Sequence, residues 1–158
     1  MAGTTIFRTD VLPAWVDYNA HLRDAYYVLV LSLATDALMD RIGLDAAYRA
    51  RTSCTLYSLE MHMHWLHEVK STDTIEVDAH LIASDTKRLH VGFDVRVVGR
   101  EAVVATADFV FLHVRQGATP GAAMNAASGA AGSSSTERKY RVVESVARVG
   151  CTRQVSPV

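Results

Sequence analysis

The spacing of hydrophobic and polar positions changes once along this chain, close to Cys54. Ahead of that point, Asp24 to Ile42 consists of strong helix formers and is followed by Gly43, so the pattern predicts one long helix with a glycine stop. Within it, Ala25 to Ala34 is apolar almost all round and is interrupted only by Ser32. A helix without a wide polar face expects to be enclosed, either by sheet or by a partner subunit. Thr4 to Val11, β-branched and apolar and ended by Pro13, predicts a first strand, and Asp45 to Arg51 a short helical turn.

Beyond Cys54 the period is two. Tyr57, Leu59, Met61, Met63 and Trp65 form one face against Ser58, Glu60, His62 and His64. Ile75, Val77, Ala79 and Leu81 alternate with Glu76, Asp78 and His80, and Leu89 to Val97 repeats the pattern against Arg88, His90, Asp94 and Arg96. In Ala102 to Val114 the inner set is expected to be Val103, Ala105, Ala107, Phe109 and Phe111. Turn-like connections at Ser71 to Asp73, Ser84 to Thr86 and Gly99-Arg100 predict an antiparallel meander. The fold class is α+β, a long central helix against a curved antiparallel sheet of about five strands.

Periodicity ends after Arg115. Residues 1–116 are therefore expected to form the domain, 117–136 a flexible linker rich in Gly, Ala and Ser, and 137–158 a basic tail. Val142, Val146 and Val149 would suit a short helix in that tail, with fraying the favoured alternative.

Composition narrows the function classes. The 158 residues carry 16 basic and 17 acidic side chains, a net charge of -1, which gives no global attraction for nucleic acid or anionic membrane. The N-terminus lacks a secretory pattern, and the longest apolar run is about half of a bilayer span. A cytoplasmic protein is expected. Cys54 and Cys151 suggest neither a disulfide framework nor a zinc site, so Cys54 is expected to be an inert thiol.

The chemistry concentrates in Asp17-Tyr18-Asn19-Ala20-His21, just ahead of the long helix. Asp and Asn there are ordinary helix-capping residues. Alternatively, a carboxylate, an amide and an imidazole beside a helix N-terminus make a site for acyl transfer, with the helix N–H groups as oxyanion donors. Asp17 would be a nucleophile or a general base, Asn19 would orient water or a carbonyl, and His21 would fix the loop or shuttle a proton. Spacing does not separate these roles. His62, His64, His80 and His90 share the polar parity of their strands, which reads as a solvated face and not as a metal site. Lys87 and Arg88, at a turn, are candidates for phosphate contact.

The stretch Trp15 to Tyr27 resembles the Asp-x-Asn-x-His signature, with a downstream Tyr, of hot-dog-fold acyl thioesterases of the 4-hydroxybenzoyl-CoA thioesterase-like group. The resemblance continues through Glu68-Val69-Lys70-Ser71-Thr72-Asp73, Arg88-Leu89-His90 and Ala105-Thr106, spanning residues 5–115. It implies an acyl-CoA thioesterase with Asp17 as the catalytic carboxylate, Asn19 and His21 supporting it and Tyr27 lining the acyl pocket. Arg23, by its position, and Lys87 and Arg88, at their turn, are the candidates for contact with the CoA phosphates, against a plainer solvent-facing reading. No metal and no cofactor beyond the CoA of the substrate are implied. Val16-Asp17-Tyr18-Asn19 followed by Ala25-Tyr26-Tyr27 looks like the betainyl-CoA thioesterases of carnitine breakdown, which implies glycine betaine and CoA as products. Trp15, Tyr18, Tyr27 and Trp65, with Tyr26, then become candidates for holding a quaternary ammonium, against the plainer reading of core packing. A homodimer is implied, with a homotetramer as the alternative. A non-catalytic acyl-CoA-binding module and a hot-dog hydratase or dehydratase are the competing functions. Two positions depart from the pattern, Ala20 where Gly is usual and Arg23 where Asn is usual, and Ala20 fits the same turn only with a negative φ.

Overall fold

In a computed structural model, residues 3–116 and the backbone of 152–153 are described. The expected linker and tail, 117–136 and 137–158, lie outside them apart from that short segment. Strand β1 (Thr4–Asp10) leads through a single 3-10 turn at Pro13–Trp15 to helix α1 (Asp24–Arg41). Gly43, with φ 84°, follows it in the left-handed conformation that closes helices. Helix α2 (Ala46–Thr52) is capped by Asp45, whose carboxylate accepts from the Tyr48 N–H at 2.8 Å. Strands β2 (Cys54–Trp65), β3 (Thr74–Ser84), β4 (Arg88–Val97) and β5 (Val103–Arg115) complete an antiparallel sheet, and the two-residue β6 (Thr152–Arg153) pairs in parallel with Val114 and Arg115.

The sheet order is β1-β3-β4-β5-β2. Only β3, β4 and β5 form the expected meander; β2 pairs with β5 across the sheet from β3. The connection 66–73 is a crossover, not a hairpin turn. Alternation fixes which face is buried but says nothing of which strand is the neighbour, and an eight-residue link is longer than a tight hairpin needs.

The core forms where α1 meets the inner sheet face. Val30, Leu31, Ala34 and Leu38 of α1 are buried, as are Ile75, Val77, Leu89, Val91, Phe93, Val95, Ala105, Ala107 and Phe111 of the sheet. Phe93 meets Phe109 edge-on at 5.4 Å, and Phe109 stacks on Phe111 at 5.3 Å. This helix on a curved sheet is the hot-dog arrangement.

Two inner-face assignments are corrected by bulges. An irregularity between Ser58 and Glu60 puts Tyr57, opposite Leu112, on the other face from Met61, Met63 and Trp65, and leaves Leu59 exposed. A shift between Val95 and Arg96 pairs Val103 with Arg96 and buries Val104 instead. On the outer face Asp78 is buried, accepting from the Thr5 hydroxyl at 2.6 Å and pairing with Arg96. Cys54 is disulfide-bonded, contrary to its reading as an inert thiol.

Among the described residues, the enclosure of α1 is incomplete. Val28, Leu29 and Leu33, on the side away from the sheet, remain 37%, 39% and 36% exposed. No helix among the described residues is long and apolar enough to cross a membrane.

Candidate active site

The polar pentapeptide is a closed loop laid against the crossover. Asp17 N–H donates to the His21 carbonyl at 2.8 Å, and Ala20 N–H to the Asp17 carbonyl at 3.0 Å. The Asp17 Oδ1 accepts from the Asn19 N–H at 2.8 Å and the His21 N–H at 3.1 Å. Neither Asp17 nor Asn19 caps α1: its N-cap is Arg23, which makes no side-chain cap bond. The capping reading is therefore set aside, since the Asp17 carboxylate is spent on its own loop. Ala20 has φ 59°, in the left-handed region, so the negative φ that an easy fit of Ala to this turn would need is not met.

These bonds set the electrostatics. The His21 N–H above all holds the Asp17 carboxyl below its ordinary value of 3.8; desolvation opposes it, and the Asn19 N–H with the nearby His21 and Arg23 adds to the lowering. Asp17 is ionised at neutral pH.

The crossover is zipped onto the loop. Leu22 N–H donates to the Val69 carbonyl at 2.8 Å and Ser71 N–H to the Ala20 carbonyl at 3.1 Å, while His21 and Lys70 form an antiparallel bridge. His21 Nε2 lies 3.3 Å from Glu68 Oε2. Between them opens a cleft of about 300 Å³ lined by His21, Leu22, Asp24, Tyr27 and residues 65–69. Tyr27 is buried beside it, and its hydroxyl pKa is raised by burial, which outweighs a hydrogen bond from the Val69 N–H.

Of the expected site residues, His21, Tyr27 and Trp65 line this cleft; Asp17, Asn19, Trp15, Tyr18 and Arg23 do not. Trp15 is buried and stacks on Tyr26 at 5.7 Å, which is packing and not ligand lining. Tyr18 is 94% exposed. Arg23 donates from Nε to the Val16 carbonyl at 3.1 Å, bracing the loop. Lys87 and Arg88 sit at the opposite end of the sheet, where Arg88 is paired with Asp85 at 2.7 Å and lines a separate cavity with His90 and Val110. Sequence reasoning missed Asp24, His67, Glu68 and Arg100 as site-building residues. Glu68 was within the quoted family segment, but no periodicity marks a loop residue as facing a cleft.

A helix held by a curved sheet, with an ionised carboxylate on the loop entering that helix, defines a hot-dog thioesterase-like domain. The chain belongs to the thioesterase-like superfamily, whose profile matches residues 11–144. It is 47% identical over 110 residues to the betainyl-CoA thioesterase of Pseudomonas aeruginosa, covering 70% of this chain and 69% of that protein. It is 42% identical over 100 residues to the L-carnitine dehydrogenase/betainyl-CoA thioesterase of Agrobacterium fabrum, covering 63% of this chain and only 20% of that longer protein. Among solved structures, a Pseudomonas putida KT2440 protein superimposes with a TM-score of 0.68 at 36% identity, covering 100% of this chain and 96% of that one. A Staphylococcus aureus protein in complex with CoA shares the fold, with a TM-score of 0.67 at 24% identity over 73% of each chain.

Proposed function

We propose that this protein is an acyl-CoA thioesterase that hydrolyses betainyl-CoA to glycine betaine and CoA. The observation that carries the chemistry is the state of Asp17: its carboxylate is held ionised by two loop N–H groups, both of which engage Oδ1. Oδ2 is left to act on the thioester carbonyl directly, giving a mixed anhydride that water then cleaves, or to take a proton from the attacking water. In both routes the C–S bond breaks, the water oxygen ends on the acyl carbon and the sulfur leaves as the CoA thiol. Asn19 and His21 support the carboxylate through the backbone groups that hold it. The acyl group comes from the relatives' stated activity, carried over here as part of the proposal.

The working unit in this proposal is a homodimer. Among the described residues, the apolar side of α1 is open and one edge of the twelve-residue β2 is unpaired, which are surfaces that a second copy would cover. A two-fold that joins two β2 edges antiparallel sets the Trp65 end of one strand beside the Cys54 end of the other. The β3–β4 turn, with Lys87 and Arg88, lies at that Cys54 end, so one protomer offers its cations to the cleft of its partner. A cytoplasmic location belongs to the same proposal.

The test is release of CoA thiol from a panel of acyl-CoA esters that includes betainyl-CoA, with wild type and Asp17→Asn. Wild-type turnover highest on betainyl-CoA, lost by 100-fold or more in the variant, is the expected result. Tight binding without turnover would instead identify an acyl-CoA-binding module.

A further inference from the structure

We propose that Trp65, acting with Glu68 and Asp24, selects a cationic acyl group over a neutral one of the same shape. The inference rests on the acyl-CoA reading of this cleft and goes beyond it by assigning the residues that choose the acyl group. Five aromatic side chains stand near the acid-bearing loop, and the fold disposes of all but one. Trp15 and Tyr26 are stacked on each other, Tyr18 is at the exposed tip of the loop, and Tyr27 is buried. Trp65, at the end of β2 on the inner-face parity, lines the cleft and is 53% exposed. Of the five, it presents the most exposed ring lining the cleft.

Two carboxylates, those of Asp24 and Glu68, and two imidazoles, those of His21 and His67, line the cleft. Among the described residues of one protomer, no Lys or Arg side chain lines it. Asp24 is oriented by the Ala25 N–H, which donates to its Oδ1 at 2.8 Å, and Glu68 by His21 at 3.3 Å. The backbone of Glu68 is fixed in turn by Arg100, which donates to its carbonyl at 3.2 Å. A trimethylammonium group has no N–H to donate, so a carboxylate attracts it only through its field, and the face of an indole is its best neutral contact. A cleft that offers an open indole and two carboxylates therefore matches a fixed cation. It disfavours an anionic acyl group by repulsion and gives a neutral one no electrostatic gain.

The experiment compares betainyl-CoA with 3,3-dimethylbutyryl-CoA, which replaces the ammonium nitrogen by carbon. The ratio of their kcat/KM values is measured in wild type, Trp65→Leu, Trp65→Phe, Glu68→Gln and Asp24→Asn. Binding of the two corresponding non-hydrolysable thioethers of CoA is measured by calorimetry in the same proteins. The expected result is a wild-type preference for the cation that falls about 3- to 30-fold in Trp65→Leu and Glu68→Gln, less in Asp24→Asn, and is partly kept by Trp65→Phe. Equal wild-type binding of the two thioethers, or a preference that all four variants retain, overturns it. A cation preference in binding that the variants abolish, with no turnover of either ester, would uphold the selector and refute the thioesterase.

Discussion

Arg100 donates from one guanidinium nitrogen to both carboxylate oxygens of Asp73 at 2.9 Å, and from another to the Glu68 carbonyl at 3.2 Å. Asp73 is also turned inward, accepting the Lys70 N–H at 2.8 Å on Oδ2. One side chain from the β4–β5 turn thus clamps both ends of the crossover that forms the cleft wall.

Arg100→Ala should therefore loosen the crossover without touching the helix or the core. The ion pair is partly exposed, so the expected loss is modest, about 1 kcal/mol in urea unfolding. The functional loss should be larger than that suggests, because Glu68 and the partner of Leu22 are displaced together. A rise in KM for the best acyl-CoA with little change in melting temperature would be the signature. Unchanged kinetics would show that the crossover holds its shape without the clamp.

Ala20 provides a sharper test of the loop geometry. At φ 59° an L-residue pays a left-handed penalty of about 1–2 kcal/mol, while glycine there loses about 0.5–1 kcal/mol more backbone entropy on folding. Ala20→Gly should raise stability by about 0.5–1 kcal/mol and leave the Asp17 hydrogen bonds intact. Ala20→Val should be destabilising, because β-branching worsens the same strain. Chemical denaturation of the three proteins checks the order.

The helix, the strands and their buried faces were legible because each rests on a local period. Asp24 to Ile42 reads as a helix from composition, and Gly43 marks its end in both sequence and structure. Legibility fails where the determinant is not periodic. The bulge at Ser58 to Glu60 inverts the parity of Tyr57, and nothing in an alternating sequence announces an extra residue. The site behaves in the same way. Asp17 and His21 stand out as a motif, whereas Glu68 and Arg100 matter through long-range pairings that link residues 21 with 68 and 100 with 73.

The depressed pKa of Asp17 fixes a direction for pH dependence. A carboxyl lowered in the folded state stabilises the fold fully above its unfolded value, and that contribution is lost as pH falls through the lower folded value. Asp17→Asn should be less stable than wild type at pH 6, and the gap should narrow as pH drops below 3.8. Unfolding free energies of both proteins at a series of pH values test this. A gap independent of pH would mean that shape, and not charge, is what the loop requires of residue 17.

Tyr27→Phe probes the wall behind the cleft. The Tyr27 hydroxyl accepts from the Val69 N–H in a buried setting, and its removal leaves that donor unsatisfied. The expected cost is about 1–2 kcal/mol, measured by denaturation. A near-neutral substitution would require water to reach Val69.

The proposed dimer makes the last prediction, and it follows from what one chain leaves uncovered. Val28, Leu29 and Leu33 share the side of α1 turned from the sheet and are each more than a third exposed, although a soluble helix would place polar residues there. If a second copy covers this side, Leu29→Glu introduces a carboxylate into an apolar interface with no cation designed to meet it. The penalty of about 3 kcal/mol or more corresponds to a weakening of association by at least about 100-fold. Sedimentation should show the wild type as a dimer and the variant shifted to monomer at micromolar concentration, and the melting temperature should depend on protein concentration in the wild type and lose that dependence in the variant. Activity should fall with the dimer if the Lys87 and Arg88 of one protomer serve the cleft of the other. A monomeric variant with full activity would confine the site to a single chain and remove that part of the proposal.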